Sequence, residues 1–197
     1  MGKLAVIEFV TLDGVMQGFG GPEEDRDDGF VHGGWGAPYA DEVQFRSAAE
    51  GIAETTAYLW GRKTYQHMAA HWPNEPDTNP IAKHLNNTPK YVITNTLTRL
   101  DWPGSNILTG DPVASVRGLK ARTSGTIAVM GSGVLVQTLV DHDLIEEYRL
   151  FIYPLVLGTG KRLFRGAPHP LRFQLVKCVP TSTGVLMCSY RSEGSNA

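Results

Sequence analysis

The sequence has few cysteines, no excess of either charge and no long apolar run. Its 197 residues include two cysteines, and 18 Lys and Arg against 20 Asp and Glu give a formal net charge of −2. Two cysteines are too few for a disulfide framework or a four-thiolate zinc site. A nearly neutral chain has no electrostatic attraction for nucleic acid or an anionic membrane, and no segment approaches the ~20 apolar residues that span a bilayer. These features favour a globular protein with a small-molecule or cofactor site.

The N-terminal segment lacks the pattern of a targeting signal. Glu8 interrupts the apolar run too early for the core of a signal peptide, and Val6 stands where a myristoylation signal requires Ser or Thr. We therefore expect a cytoplasmic protein. In a reducing compartment Cys178 and Cys188 are expected to be free thiols, although the turn residues between them would also let them face each other across a hairpin.

Several nucleotide and metal motifs are also missing. No G-x-G-x-x-G fingerprint occurs, and Leu155 and Arg162 replace the first glycine and the Ser/Thr of a phosphate loop. His67 and His71 are four residues apart on a predicted helix, but Met68 replaces the glutamate of H-E-x-x-H. A metal-dependent hydrolase is therefore the weakest of three functional hypotheses, and no metal site is predicted.

Hydrophobic periodicity predicts strands that alternate with helices, in a single domain over 1–197. The predicted strands cover about 4–10, 56–60, 90–94, 106–108, 126–130, 147–157, 171–179 and 184–191. Two predicted helices cover about 41–54 and 112–122, a third begins near 63, and a fourth contains 135–140. The segments 16–40 and 73–80 are predicted to be loops. Alternating strands and helices imply an α/β fold with a mostly parallel sheet, to which the last two strands add an antiparallel hairpin.

Candidate ligand-binding residues follow three of these strands, because open α/β sheets bind ligands at the carboxyl ends of their strands. The three ends carry Trp60, Gly61, Arg62, Lys63 and Thr64; Gly131, Ser132, Gly133, Val134 and Leu135; and Thr94 and Asn95. Two cations at a helix start suit a phosphate, and small residues before a helix let a ligand approach the backbone. Each pattern also fits an ordinary turn or helix cap, so spacing alone leaves both interpretations open.

The order of three motifs resembles that of the dihydrofolate reductase-like proteins. These motifs are Asp13-Gly14 after the first strand, the segment 61–65 and the segment 131–135. The segments 143–147 and 153–160, followed by Leu163-Phe164, narrow the resemblance to the C-terminal reductase domain of the riboflavin-biosynthesis bifunctional deaminase–reductase, here as a stand-alone chain. The resemblance covers essentially the whole chain and implies a three-layer α/β/α fold.

The resemblance also implies NADPH as cofactor and assigns roles to the candidate residues. Gly61, Arg62, Lys63 and Thr64 would hold its phosphates, next to Trp60 in the same cofactor-binding segment, and Arg62 or Lys63 would select the 2′-phosphate. Thr94 and Asn95 would lie along the adenosine, and the pyrophosphate would be cradled by Gly131, Ser132, Gly133, Val134 and Leu135. Val10, Leu12 and Gly14 would line the nicotinamide side, opposite the substrate residues Pro154, Leu157 and Gly158. Asp13 is the expected catalytic residue, which hydrogen-bonds to substrate or relays a proton.

The implied reaction is hydride transfer to a small C=N or C=O compound, such as a pyrimidine- or pterin-like ring. Ser132 stands where folate reductases have the second glycine of a pair. Asp41 and Glu42 lie near the place of the helix-start carboxylate of folate reductases, but they follow a long acidic loop, and these two departures argue against folate itself. A substrate phosphate would find Lys161, Arg162 or Arg165. The alternative is a non-catalytic NADP(H)-binding or sensing protein.

We also expect a homodimer. The C-terminal hairpin is apolar and would offer a sheet edge that needs covering. Its apolar residues are Val185, Leu186, Met187 and Tyr190.

Overall fold

One eight-stranded sheet runs through the molecule, whose computed structural model describes residues 1–167 and 169–194. The strands are β1 (Lys3–Thr11), β2 (Thr55–Gly61), β3 (Lys90–Ile93), β4 (Ser105–Leu108), β5 (Thr126–Met130), β6 (Glu147–Tyr153), β7 (Phe173–Pro180) and β8 (Leu186–Ser192). Their spatial order is β4-β3-β2-β5-β1-β6-β8-β7. β1 to β6 pair in parallel, whereas β8 is antiparallel to both β6 and β7. The predicted mixed sheet with an antiparallel C-terminal hairpin is confirmed.

Five helices connect the strands. They are α1 (Glu42–Ala53), α2 (Arg62–His71), α3 (Pro80–Asn87), α4 (Pro112–Arg122) and α5 (Gly133–Asp141). α3 was not predicted, because Pro and Asn residues before it indicate a loop. The same residue types begin a helix: the Asn79 side chain accepts hydrogen bonds from Ile81 and Ala82, and Pro80 needs no hydrogen-bond partner at the first position.

The prediction also made β6 too long. Its last residue, Tyr153, pairs with Thr11 at the end of β1, and Pro154 follows directly. Beyond that point β1 offers no further partner, so the apolar residues to Leu157 continue as irregular backbone rather than as a strand.

The two faces of β1 support two core clusters. Leu4, Val6 and Val10 belong to one cluster, together with Val116 of α4 and Leu139 of α5. Since side chains alternate along a strand, Glu8 falls on this same apolar face. Burial of each Leu or Val contributes about 1.5–3 kcal/mol, so a carboxyl group in this row needs a separate explanation.

The second cluster covers the opposite face of the sheet. Ile7 packs there with Tyr58 and Trp60 of β2, Tyr65 of α2 and Leu85 of α3. The sheet therefore lies between helical layers, as a three-layer α/β/α arrangement requires. No helix in the described part of the chain is long and apolar enough to cross a bilayer.

The C-terminal hairpin corrects one expectation and bears out another. β8 lies between β6 and β7, so Leu186, Met187 and Tyr190 occupy an inner strand, and Val185 just before it is buried. β8 pairs with β6 on one side and with β7 on the other, so β7 is the strand at the edge of the sheet. Cys178 and Cys188 do face each other, with 3.1 Å between their Sγ atoms, and both are free thiols.

Candidate functional site

A cavity of about 1440 Å³ opens where β2 and β5 end. Two of the three predicted strand ends line it, and they supply the residues Gly61, Arg62, Lys63, Thr64, Gly131, Ser132, Gly133, Val134 and Leu135. Parallel strands end at the same edge of a sheet, so β2 and β5, which pair directly, bring these turns together.

The two turns are in direct contact. The Ser132 hydroxyl accepts a hydrogen bond of 2.8 Å from the Gly61 backbone amide. Gly131 has a φ of 64°, and a Cβ there would lie 3.1 Å from the Thr64 methyl carbon. A glycine at 131 therefore satisfies both the backbone conformation and the close approach of α2.

The helices that begin at these turns have no side-chain cap. α2 follows Gly61 and α5 follows Ser132, and neither residue accepts a hydrogen bond from its own helix through its side chain. The first amides of a helix lack intrahelical acceptors, and they carry partial positive charge. Two such helix starts, side by side in one cavity, form a surface suited to an anionic ligand.

A loop rich in acidic residues is tied across the cavity by ion pairs. Lys63 Nζ lies 2.6 Å from the Asp27 carboxylate, and Lys161 Nζ lies 2.6 Å from Asp25 and 2.7 Å from Asp27. Hydrogen bonds from Lys161 and Lys63 lower the pKa of Asp27 to about 2. Exposed ion pairs of this kind contribute little because water and salt screen them, so an anion that enters the cavity can compete for Lys63.

Glu8 is a cavity residue that the sequence analysis did not select. The residue is among those that line the cavity although it is only 3% exposed, and its buried Oε1 has no hydrogen-bond partner. Burial and the nearby negative charge of Glu24 raise the pKa of Glu8 well above its usual value, against a lowering by the Gly131 backbone. The available signal was a single acidic residue inside an apolar strand.

Asp13 lies in a turn beside the cavity and holds two loops together. It accepts hydrogen bonds from the Thr11 hydroxyl (2.6 Å) and from the amides of Leu157 (3.2 Å) and Gly158 (2.8 Å), and it pairs with Arg162 at 3.3 Å. Burial alone would raise its pKa, but the hydrogen bonds outweigh it and lower the pKa to about 2. The carboxylate is therefore ionised at neutral pH, so direct proton donation by Asp13 is disfavoured, whereas its role as a hydrogen-bond acceptor is retained.

The remaining predicted residues do not line the cavity. Val10 is in the core, Leu12 is exposed, Trp60 is buried and stacks on Trp102, and Gly14 forms the turn with Asp13. Pro154 contacts Gly184, and the amides of Leu157 and Gly158 donate hydrogen bonds to Asp13. The side chains of Thr94 and Asn95 accept hydrogen bonds from the amides of Leu97 and Gly110. Their proposed ligand contacts stay predictions.

The cavity also extends along α1, where aromatic rings are stacked. The rings of Phe9 and Phe19 are parallel within 9° at 4.0 Å, and Phe9 also stacks on Phe151 at 4.8 Å. Gln44 donates to the Tyr153 hydroxyl at 2.5 Å, while its Oε1 is buried without a partner. Aromatic faces with an unused amide oxygen suit a flat ring that carries hydrogen-bond donors.

Other candidate residues have structural partners. Asp41 caps α1 through Val43 and Gln44, and its second oxygen accepts from Ser182, which lowers its pKa. His67 and His71 both line the cavity. Within residues 1–167 and 169–194, no group of three or more His, Cys, Asp or Glu side chains is placed to hold a metal ion.

Known proteins resemble the chain over nearly its full length. The uncharacterized protein YyaP of Bacillus subtilis (strain 168) is 28% identical over 193 residues, which cover 94% of this chain and 92% of that protein. A putative riboflavin biosynthesis protein from Shewanella sp. PV-4 superposes with a TM-score of 0.68 at 18% identity, covering 97% of this chain and 99% of that one.

A second solved structure has the same fold. Dihydrofolate reductase from Enterococcus faecalis, complexed with NADP(H) and RAB-propyl, matches with a TM-score of 0.63 at 16% identity, covering 98% of this chain and 97% of that one. These matches confirm the dihydrofolate reductase-like fold. The model of the RibD C-terminal domain matches residues 3–187, and the chain therefore belongs to the RibD C-terminal domain family, whose members are NADPH-dependent reductases.

Proposed function

We propose that this protein is an NADPH-dependent reductase that reduces a C=N or C=O bond in a small, flat-ring compound. The observation that carries the proposal is the pair of uncapped helix starts joined by the Ser132–Gly61 hydrogen bond. The NADP(H) complex of the dihydrofolate reductase with this fold supports the choice of cofactor.

The residues of the two turns fit the phosphates of a dinucleotide. Gly131 lets the start of α2 pack closely against the turn before α5, and the amides at the starts of the two helices would donate to the phosphate oxygens. Arg62 and Lys63 would contact the 2′-phosphate, which distinguishes NADPH from NADH. When bound, the cofactor supplies a hydride.

The α1 side of the cavity would receive the substrate. Phe9 and Phe151 offer aromatic faces for a planar ring, and Gln44 Oε1 offers an acceptor for a ring N–H or amino group. Phe19 covers this surface and would have to move aside for a ring to stack there. A pyrimidine- or pterin-like substrate meets these requirements.

Two measurements test the proposal. Titration with NADPH and NADH, followed by quenching of tryptophan fluorescence, is expected to show tight NADPH and weak NADH binding. Purified protein with NADPH is then screened for loss of reduced-nicotinamide absorbance with cyclic imines, pterins, aminopyrimidines and simple carbonyl compounds. Binding without turnover of any compound would favour the sensing alternative, and no binding of either nucleotide would refute both.

A further inference from the structure

We propose that Cys178 and Cys188 form a redox pair, whose two thiols a small-molecule disulfide such as oxidised glutathione converts into a cross-strand disulfide that locks the edge strand β7 onto β8. The inference is independent of the proposed reductase function, because it concerns the C-terminal hairpin and not the turns at Gly61 and Ser132. It assigns to this hairpin a reversible modification site.

The hairpin brings the two sulfur atoms together by direct strand pairing. Cys178 of β7 lies opposite Cys188 of β8, and the two Sγ atoms are 3.1 Å apart. At that distance the Cys188 thiol donates a hydrogen bond to the Cys178 sulfur. The two side chains therefore already point at each other, and a bond between the sulfur atoms requires no change in the register of the strands.

The backbone at this pair also suits a disulfide. At the hairpin turn the Thr181 amide donates to the Val185 carbonyl, so these two residues form a hydrogen-bonded pair. Such pairs alternate with non-hydrogen-bonded pairs along an antiparallel ladder. Cys178 and Cys188 lie three positions further along an unbroken register, and they are therefore a non-hydrogen-bonded pair. The Cα atoms of such a pair are about 4.5 Å apart, within the range of about 4.4–6.8 Å that disulfides span.

The two thiols differ in their access to solvent, and this difference sets the order of the reaction. Cys178 is exposed, whereas Cys188 is only 5% exposed and lies in register with Leu150 of β6. Burial first, and the neighbouring Cys178 sulfur second, raise the pKa of the Cys188 thiol, so this group keeps its proton at neutral pH. An oxidant from solvent therefore meets Cys178 first, and Cys188 is the resolving thiol beside it.

The oxidation proceeds in two thiol–disulfide exchanges. The Cys178 thiolate attacks one sulfur of oxidised glutathione, the glutathione S–S bond breaks, and the first glutathione leaves as a thiolate that takes up a proton. The Cys188 thiol then loses its proton to solvent as its sulfur attacks the Cys178 sulfur of the mixed disulfide, and the second glutathione leaves in the same way. Two cysteine thiols are oxidised to one disulfide while one glutathione disulfide is reduced to two thiols, and a dithiol reductant reverses both steps.

The bond acts on a strand that has little else to hold it in the sheet. Within the described residues β7 pairs with β8 alone, and most of its side chains are exposed. Its register also shifts between Leu175 and Lys177, next to Cys178. A strand with one partner and little buried surface opens locally at a low free energy. A covalent link at Cys178 joins this strand to an inner one, so oxidation stabilises the edge and leaves the pairing of the sheet unchanged.

Mass spectrometry of the folded protein gives the first test. Reduced wild type is incubated with oxidised glutathione, and the products are trapped with acid. We expect the loss of two hydrogens and no lasting glutathione adduct. C188S should instead retain one glutathione on Cys178, and C188A tests the same step without burying a hydroxyl group. C178S should gain no adduct, because its remaining thiol is buried.

Three results of this experiment would overturn the proposal. A folded wild type that stays reduced would show that the pair does not react, and a persistent glutathione adduct would show that Cys188 does not resolve it. A disulfide between two copies of the chain would assign Cys178 to an intermolecular contact. An adduct that forms on C178S as fast as on C188S would contradict the order in which the two thiols react.

Thermal unfolding and amide hydrogen exchange measure the lock itself. Oxidised wild type should melt at least ~2 °C above the reduced protein. The amides of β7 should exchange at least ~10-fold more slowly after oxidation, while those of β4, at the opposite edge of the sheet, are unchanged. C178S is the matched control, and oxidised glutathione should alter neither of its measurements. Equal melting and exchange of oxidised and reduced wild type would refute the locking role.

Discussion

Replacing Arg62 and Lys63 together with alanine is the sharpest test of the cofactor site. Both residues lie in the first turn of α2 and line the cavity. Arg62 contacts Gln66 at 3.3 Å, and Lys63 pairs with Asp27 at 2.6 Å. Because both side chains are exposed, their loss should change the free energy of unfolding by less than about 0.5 kcal/mol. A change in nucleotide affinity therefore reports on binding and not on folding.

The size of the effect follows from these contacts. A hydrogen bond to a charged group is worth about 1.5–3 kcal/mol, and exposure places both cations at the lower end. Lys63 must also leave Asp27, which offsets a small part of this energy because the pair is exposed, while Asp27 keeps Lys161. The net loss is about 2–3 kcal/mol, or roughly 30- to 150-fold in the dissociation constant of NADPH. NADH has no 2′-phosphate, so its affinity should change less than about threefold.

Tryptophan fluorescence titrations at low ionic strength provide the assay. Lys83→Ala removes an exposed lysine on α3 outside the cavity lining and is the matched control. Added salt should weaken NADPH binding to the wild type more than to the double variant, because exposed charges are screened. Equal weakening of NADPH and NADH would place the two cations on the shared pyrophosphate, and unchanged affinity for both would remove them from the site.

Three further outcomes are expected. Ser132→Ala should lower the free energy of unfolding by about 1 kcal/mol, measured by urea denaturation, because the half-buried Gly61 amide loses its acceptor; an unchanged midpoint would contradict this. Asp13 has a lowered pKa, so its stabilising effect is complete above 3.8 and is lost as pH falls towards about 2; the melting temperatures of wild type and Asp13→Asn should converge over that range, and a constant gap would be inconsistent. Light scattering at micromolar concentration should give a dimer mass that Leu175→Lys on the exposed β7 edge reduces to a monomer; a monomeric wild type would refute the dimer.

The sheet could be predicted from the sequence because its strands are short apolar runs between turn residues. β5 was located to the residue, over Thr126–Met130, since polar and glycine residues flank it on both sides. β6 was extended too far because apolar residues continue beyond Tyr153, and its true end depends on where β1 ends. The end of β6 is set by its pairing with β1, and local sequence patterns carry no information on which strands pair.

The candidate site was only partly accessible to the same reasoning. The turns at 61–64 and 131–135 follow predicted strands, so their meeting in one cavity follows from a parallel sheet. The Lys63–Asp27 pair joins residues 36 apart through a loop without periodicity, and nothing local indicates it. Glu8 could be recognised as a charge in an apolar strand, but its burial depends on the elements that pack on that face of β1, which no local pattern indicates.

The helix starts contain a signal that sequence reasoning can use elsewhere. α1, α3 and α4 begin after Asp41, Asn79 and Asp111, and each of these side chains accepts a hydrogen bond from its own helix. α2 and α5 begin after Gly61 and Ser132 without such a bond, and the Ser132 hydroxyl binds Gly61 instead of capping α5. Loss of a cap costs about 1 kcal/mol, so selection for stability alone would favour capping here as well. The two helices that lack a cap are the two whose starts meet through the Ser132–Gly61 hydrogen bond at the proposed phosphate site, which is where a local rule is expected to give way to ligand binding.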